Sequence, residues 1–136
     1  MSAHIRSALL RKVWLARVYV DKHPGALMGA TLLRRDTGWN RFGDRVIPYL
    51  EGWFLFMAAD VFQSIGGFDE RYSPCDYEDV DFSYAAEEKG IKLVKVPMPL
   101  RHIGGQTGVL LPERREITKR NRIKFAKKWG LPNEES

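Results

Sequence analysis

Gly66-Gly67-Phe68-Asp69-Glu70-Arg71-Tyr72, followed after a short gap by Tyr77-Glu78-Asp79-Val80-Asp81-Phe82, sets a glycine turn beside six carboxylates (Asp69, Glu70, Asp76, Glu78, Asp79, Asp81) within thirteen residues. The surrounding chain is basic, with a formal charge of +5 over 136 residues. Glycine tolerates the left-handed backbone that closes a helix, so Gly66-Gly67 ends a short helix over 59–65 and puts the acidic residues on the loop beyond it. A second helix is expected over 77–89, stopped at Gly90.

Outward from this stretch the chain reads as alternating helix and strand. Downstream, Ile91-Lys92-Leu93-Val94-Lys95-Val96 alternates like a strand and is closed by Pro97 and Pro99. A loop from Arg101 to Gly108 then leads through Pro112 to a last helix over 113–129, ended by Gly130 and Pro132. Upstream, Ala26 to Leu33 is a continuous apolar run bounded by turn signals, the pattern of a central strand buried on both faces. Residues 34–44 read as a loop or hairpin, and 46–57 as an extended segment made irregular by Pro48 and Gly52. Before His23-Pro24-Gly25, residues 3–20 space Ile5, Leu9, Val13 and Ala16 at helical intervals with basic residues between them. The fold class is α/β, in one domain over 1–136.

Composition limits the function classes. At 44% hydrophobic and 12% aromatic the chain is globular. Cys75 is the sole cysteine, which excludes an internal disulfide and makes a reducing cytoplasm the default expectation. No apolar run approaches the roughly 18 residues of a membrane span, and the first residues lack the uninterrupted apolar core of a signal peptide.

The acidic cluster has a structural and a chemical reading. Structurally, Asp76 sits where an N-cap belongs, with Asp79 three residues on and Glu78 favoured by the helix dipole. Capping needs one or two acids, however, and does not account for the turn that delivers Asp69 and Glu70. Chemically, a carboxylate at a helix start beside a loop makes a general base, and like-charged neighbours raise its pKa. The spacing of Asp76, Asp79 and Asp81 is not that of a calcium loop.

Taken together, Gly-Gly-Phe-Asp-Glu-Arg-Tyr, then Tyr-Glu-Asp-Val-Asp-Phe, a helix ending at Gly90, a strand, and Pro99-Leu100-Arg101-His102 with Gln106-Thr107 beyond closely resemble the acceptor half of inverting GT-A glycosyltransferases of family 2, particularly the rhamnosyltransferase-like members. The resemblance covers 23–129. It implies a partial GT-A fold without the N-terminal nucleotide-binding half, because the chain opens at the helix before the acceptor half. It further implies transfer of a sugar from a nucleotide-sugar donor to a glycan or lipid-linked acceptor, as in cell-wall or polysaccharide biosynthesis.

On the matching positions, the resemblance makes Asp79 the base that deprotonates the acceptor hydroxyl, with Glu78 beside it. Trp53, in Tyr49-Leu50-Glu51-Gly52-Trp53, falls where the family passes the acceptor pocket, and Asp69, Glu70 and Arg71 lie on the acceptor-side loop. His102 matches a histidine that joins an upstream Asp-x-Asp motif in holding Mn²⁺ or Mg²⁺; without that context a lone histidine is a satisfied surface or core residue. Asp79-Val80-Asp81 lies inside a helix and is not the donor motif. His4 and His23 belong to no pattern, and the Gln-x-x-Arg-Trp signature of processive synthases is missing, which favours single-sugar transfer.

The last helix is the other conspicuous feature. Residues 114–128 hold eight Lys or Arg against one Glu, while Ile117, Phe125 and Trp129 lie near one stripe interrupted by Asn121. A basic amphipathic helix is either a solvated face packed by its stripe or a dock for an anionic membrane surface. Nucleic acid is disfavoured, because no aromatic stacking pattern accompanies the charge. The partners expected are therefore the donor, the acceptor, an anionic membrane surface at 113–129, and a complementing donor half or second copy covering an exposed sheet edge. The alternative reading is a non-catalytic binding module on the same fold.

Overall fold

The computed structural model describes residues 2–104 and 111–133, and it is mixed α/β. The Gln106-Thr107 part of the motif above lies outside the described residues. The elements run α1 (Ala3–Lys22), β1 (Leu27–Gly29), β2 (Leu32–Leu33), β3 (Arg41–Phe42), β4 (Arg45–Val46), β5 (Tyr49–Leu50), β6 (Leu55–Phe56), α2 (Ala59–Ile65), a 3₁₀ turn (Glu70–Tyr72), α3 (Glu78–Glu88), β7 (Leu93–Lys95) and α4 (Arg114–Trp129).

β1 is the centre of a mixed sheet ordered β6-β1-β7, antiparallel to β6 with Met28 opposite Phe56 and parallel to β7 with Met28 opposite Val94. Side chains alternate across a strand, and β1 uses both faces. Leu27 packs with Leu50, Val61, Ile65, Phe82, Ala86 and Leu93 under α2 and α3. Met28 packs with Ala26 and Val96 against Tyr19 and Val20 of the last turns of α1. Gly29 permits close approach: a Cβ there would lie 3.0 Å from the Phe54 carbonyl oxygen. A third cluster joins α3 to α4 through Tyr72, Tyr77, Val80, Tyr84, Phe125 and Ala126. Full burial of a side chain such as Phe125 contributes about 1.5–3 kcal/mol.

Three expectations are corrected. The apolar run at 26–33 is not one strand: it breaks after Gly29, and β2 pairs with β5 in a separate two-stranded sheet. Asp76 does not cap α3. The N-cap is Tyr77, and both residues have left-handed backbones (φ 71° and 75°). The Asp76 carboxylate is instead taken by α4, in a two-pronged pair with Arg114 (2.9 and 3.1 Å) and a hydrogen bond from Thr118 Oγ1 (2.7 Å). A charge-assisted bidentate pair outweighs a single bond to a helix N–H.

The basic helix is also not simply a solvated face. Arg114, Lys124 and Lys128 reach the acidic stretch, and Arg122 donates to the carbonyls of Gly38, Trp39 and Arg41 while its guanidinium lies over the Phe42 ring. Asp81, 3% exposed, is the centre of this contact: it accepts from Tyr72 Oη (3.1 Å), Lys128 Nζ (2.8 Å) and Trp129 Nε1 (2.7 Å). Asn121, which interrupts the apolar stripe, is fully buried and donates through Nδ2 to the carbonyls of Tyr72, Cys75 and Asp76 (2.8, 2.7 and 3.0 Å). Much of the acidic cluster is therefore neutralised by the basic helix of the same chain.

α1 matches its periodicity but buries none of its residues, leaving Ile5, Leu9, Leu10, Val13 and Trp14 more than half exposed. Among the described residues no helix is long and apolar enough to cross a membrane.

Candidate active site

The loop between the 3₁₀ turn and α3 creates the site. Left-handed backbones at two successive non-glycine residues cost about 1–3 kcal/mol each and persist only where surrounding contacts impose them. Here Asn121 grips the carbonyls, Arg114 and Thr118 hold the Asp76 side chain, and Tyr77 sends its ring into the core with its hydroxyl donating to the Trp39 carbonyl (2.8 Å). The result carries Glu78 and Asp79, at the first turn of α3, to the wall of a cavity of about 570 Å³. Its opposite parts come from the segment after β5, with Glu51, Gly52 and Trp53, and from His102 beyond β7.

Asp79 is held by backbone donors on both oxygens. Oδ2 accepts from Gly52 N–H (2.9 Å) and Oδ1 from Val80 N–H (2.8 Å). Burial pushes its carboxyl above the usual range, against the lowering effect of those donors. Glu78 is held less: among the described residues its buried Oε2 has no hydrogen-bond partner. Burial first, and the charge of Asp79 second, raise the Glu78 carboxyl to about 7. The pair thus divides into a carboxylate fixed in position and a neighbour that titrates near neutrality. Trp53 completes the wall, stacked on His102 with ring centroids 4.7 Å apart and its Nε1 donating to Thr31 Oγ1 (3.2 Å).

No family model, curated protein or solved structure matches the chain. The site therefore rests on its own geometry.

Four residues singled out from the sequence, Asp79, Glu78, Trp53 and His102, meet at this cavity although they are up to 49 positions apart. Asp69, Glu70 and Arg71 are not brought to it. Asp69 caps the 3₁₀ turn and pairs with Arg71 (2.6 Å) and Lys128 (3.0 Å), which hold its carboxyl well below the usual range. Glu51, Trp39, Tyr77 and Arg114 join the lining without having been selected from the sequence. Glu51 and Tyr77 stood in quoted motifs; Trp39 comes from the loop between β2 and β3 and Arg114 from α4, and nothing local marks their approach to the site.

The residues present do not by themselves fit a divalent metal. Among the described residues no group of three or more His, Cys, Asp or Glu side chains is placed to hold one. Both Asp79 oxygens already accept backbone bonds, and the His102 ring is stacked on Trp53.

Proposed function

We propose that the chain is the acceptor-binding and catalytic-base half of an inverting sugar transferase, its α/β elements forming part of a GT-A fold. The observation that carries this reading is the convergence of Asp79, Glu78, Trp53 and His102 on one cavity. Asp79 takes the proton of an acceptor hydroxyl as that oxygen attacks the anomeric carbon of the donor sugar; the bond from that carbon to the nucleotide diphosphate breaks, and the diphosphate leaves with the electron pair. Inversion follows from attack on the face opposite the leaving group. A positioned base of this kind is worth about 10²–10⁴ in rate. Trp53 offers a ring face to the acceptor sugar. Glu78, titrating near 7, sets the charge next to the base and relays or retains a proton there.

On this reading the nucleotide sugar, and any Mn²⁺ or Mg²⁺, is held together with a complementing donor-binding half, without which the chain does not transfer. The second reading, a binding module without catalysis, is favoured by one observation: each Asp79 oxygen accepts a backbone N–H, as in a structural carboxylate.

The discriminating experiment joins the chain to a donor-binding half and assays a panel of radiolabelled nucleotide sugars with glycan and lipid-linked acceptors. Transfer that drops about 10²-fold or more in Asp79→Asn supports the base. Transfer that survives the change undiminished removes Asp79 from that role.

A further inference from the structure

Beside the acidic cavity lies a second, larger depression of about 810 Å³, and the two share Trp39, Tyr77 and Arg114 as a common wall. Their charges are opposite. Glu51, Asp76, Glu78 and Asp79 line the first; Arg114, Arg115, Lys119 and Arg122 line the second, together with the hydroxyl residues Thr37 and Thr118, and among the described residues no carboxylate lines it. Arg114 is partly neutralised by Asp76, but among the described residues the hydrogen-bond partners of Arg122 are neutral carbonyls, the Tyr77 hydroxyl and the Asn133 amide oxygen, and Asp36 feels its charge only at longer range. Arg115 and Lys119 are exposed. They stand four residues apart on α4, a spacing at which like charges destabilise a helix by about 0.2–0.5 kcal/mol. The fold thus gathers cations at a cost, next to a cavity whose own charge repels anions.

We propose that this groove binds the phosphate group of a phosphate-bearing acceptor, whose sugar hydroxyl lies in the adjoining cavity. Guanidinium groups match phosphate oxygens through paired N–H donors, and lysine adds a point charge. The acidic cavity excludes the phosphate, so the ligand can lie in only one direction: hydroxyl toward Asp79, phosphate beyond the Trp39–Tyr77–Arg114 wall. This rests on the transferase reading for the direction of the ligand, whereas the phosphate site stands on the groove alone.

The test is calorimetric titration of the full chain with inorganic pyrophosphate at low salt, where surface electrostatics are least screened. Saturable binding at one site is expected. It should weaken about tenfold or more, a loss of at least 1.4 kcal/mol, in Arg115→Glu/Lys119→Glu. It should be retained in Arg120→Glu/Lys127→Glu, the same charge change on the same helix away from the groove, and in Asp79→Asn. Equal weakening in both double variants, or no saturable binding by the wild type, overturns the site. Farnesyl diphosphate binding more tightly than pyrophosphate, with the same variant dependence, assigns the phosphate to a lipid-linked acceptor; equal binding assigns it to a soluble one. Vesicles containing phosphatidylglycerol form the last arm: binding that depends on Arg120 and Lys127 but not on Arg115 and Lys119 overturns the proposal in favour of a membrane-facing helix. Pyrophosphate binding in a chain whose donor-complemented form transfers nothing retains the groove and removes the transferase reading. Transfer that is indifferent to Arg115→Glu/Lys119→Glu does the reverse.

Discussion

The backbone N–H of Gly52 donates to Asp79 Oδ2 at 2.9 Å, tying the start of α3 to the segment after β5 across 27 residues of chain. The contact is close on the carbon side as well: a Cβ on Gly52 would lie 3.2 Å from the Asp79 Cβ and 3.6 Å from Oδ2. Position 52 thus sets both the orientation and the depth of the carboxylate, and its glycine is required by the approach of a side chain.

Gly52→Ala should therefore displace Asp79 by a few tenths of an ångström and destabilise the fold by about 1 kcal/mol, the scale of one compromised hydrogen bond to a carboxylate. Urea denaturation measures the loss. A shift of the Asp79 carboxyl resonance without loss of global chemical-shift dispersion would locate the effect at the site. An unchanged Asp79 resonance would show that the segment after β5 yields in its place.

Glu78 predicts a pH dependence. Its folded-state carboxyl is raised from 4.5 to about 7, so the protonated form is favoured by folding. The corresponding stability is fully present below about pH 4.5 and is lost as pH rises through about 7. Asp69 and Asp76 act in the opposite sense, since both are lowered and lose stability as pH falls. The informative quantity is the difference between Glu78→Gln and wild type. The two should melt together at pH 4, and the variant should melt higher at pH 8. A constant offset across that range would mean that Glu78 does not titrate between the limits.

Asp81 predicts the largest destabilisation. Asp81→Ala strands the Tyr72 hydroxyl and the Trp129 indole N–H and leaves Lys128 only its pair with Asp69, and losing one partner of a charge pair buried on the carboxylate side in this way costs about 3 kcal/mol. Asp81→Asn keeps an oxygen for Tyr72 and Trp129 and should cost less. Tryptophan fluorescence in a urea titration follows both variants. Equal and small effects would show that the α3–α4 contact is held by its apolar cluster alone.

α1 predicts self-association. Ile5, Leu9, Leu10, Val13 and Trp14 form an exposed apolar face on a helix with no buried residue. Sedimentation velocity of the wild type should show concentration-dependent association, and Leu9→Glu/Val13→Glu should abolish it. The unfolding free energy should change by no more than about 0.5 kcal/mol, the range of a surface substitution. Association that persists in this variant would point to the β6 or β7 edge of the sheet.

Local patterns carried much of the architecture. α2, with its left-handed Gly66 end, the strand β7 and the span of α4 follow from glycine punctuation, alternation and apolar spacing, all short-range effects, whereas the parallel pairing of β7 with β1 is a long-range outcome. The break of the apolar run after Gly29 was hidden, because Leu32 and Leu33 are as apolar as Leu27 and Met28, and pairing with β5 decides their sheet.

What the sequence by itself determined is the inventory at the site: Glu78 and Asp79 at a helix start, Trp53 within an irregular extended segment and His102 after a strand. Their meeting at one cavity, and the separation of Asp69, Glu70 and Arg71 from it, were decided only by tertiary structure. The reason is electrostatic and long-range. α4 reaches back some 40 residues to bind Asp76 and Asp81, and in doing so it imposes the left-handed turn at Asp76 and Tyr77 that presents Glu78 and Asp79. Charge composition shows an acidic stretch and a basic helix; only the fold decides which charges neutralise one another and which remain to face a ligand.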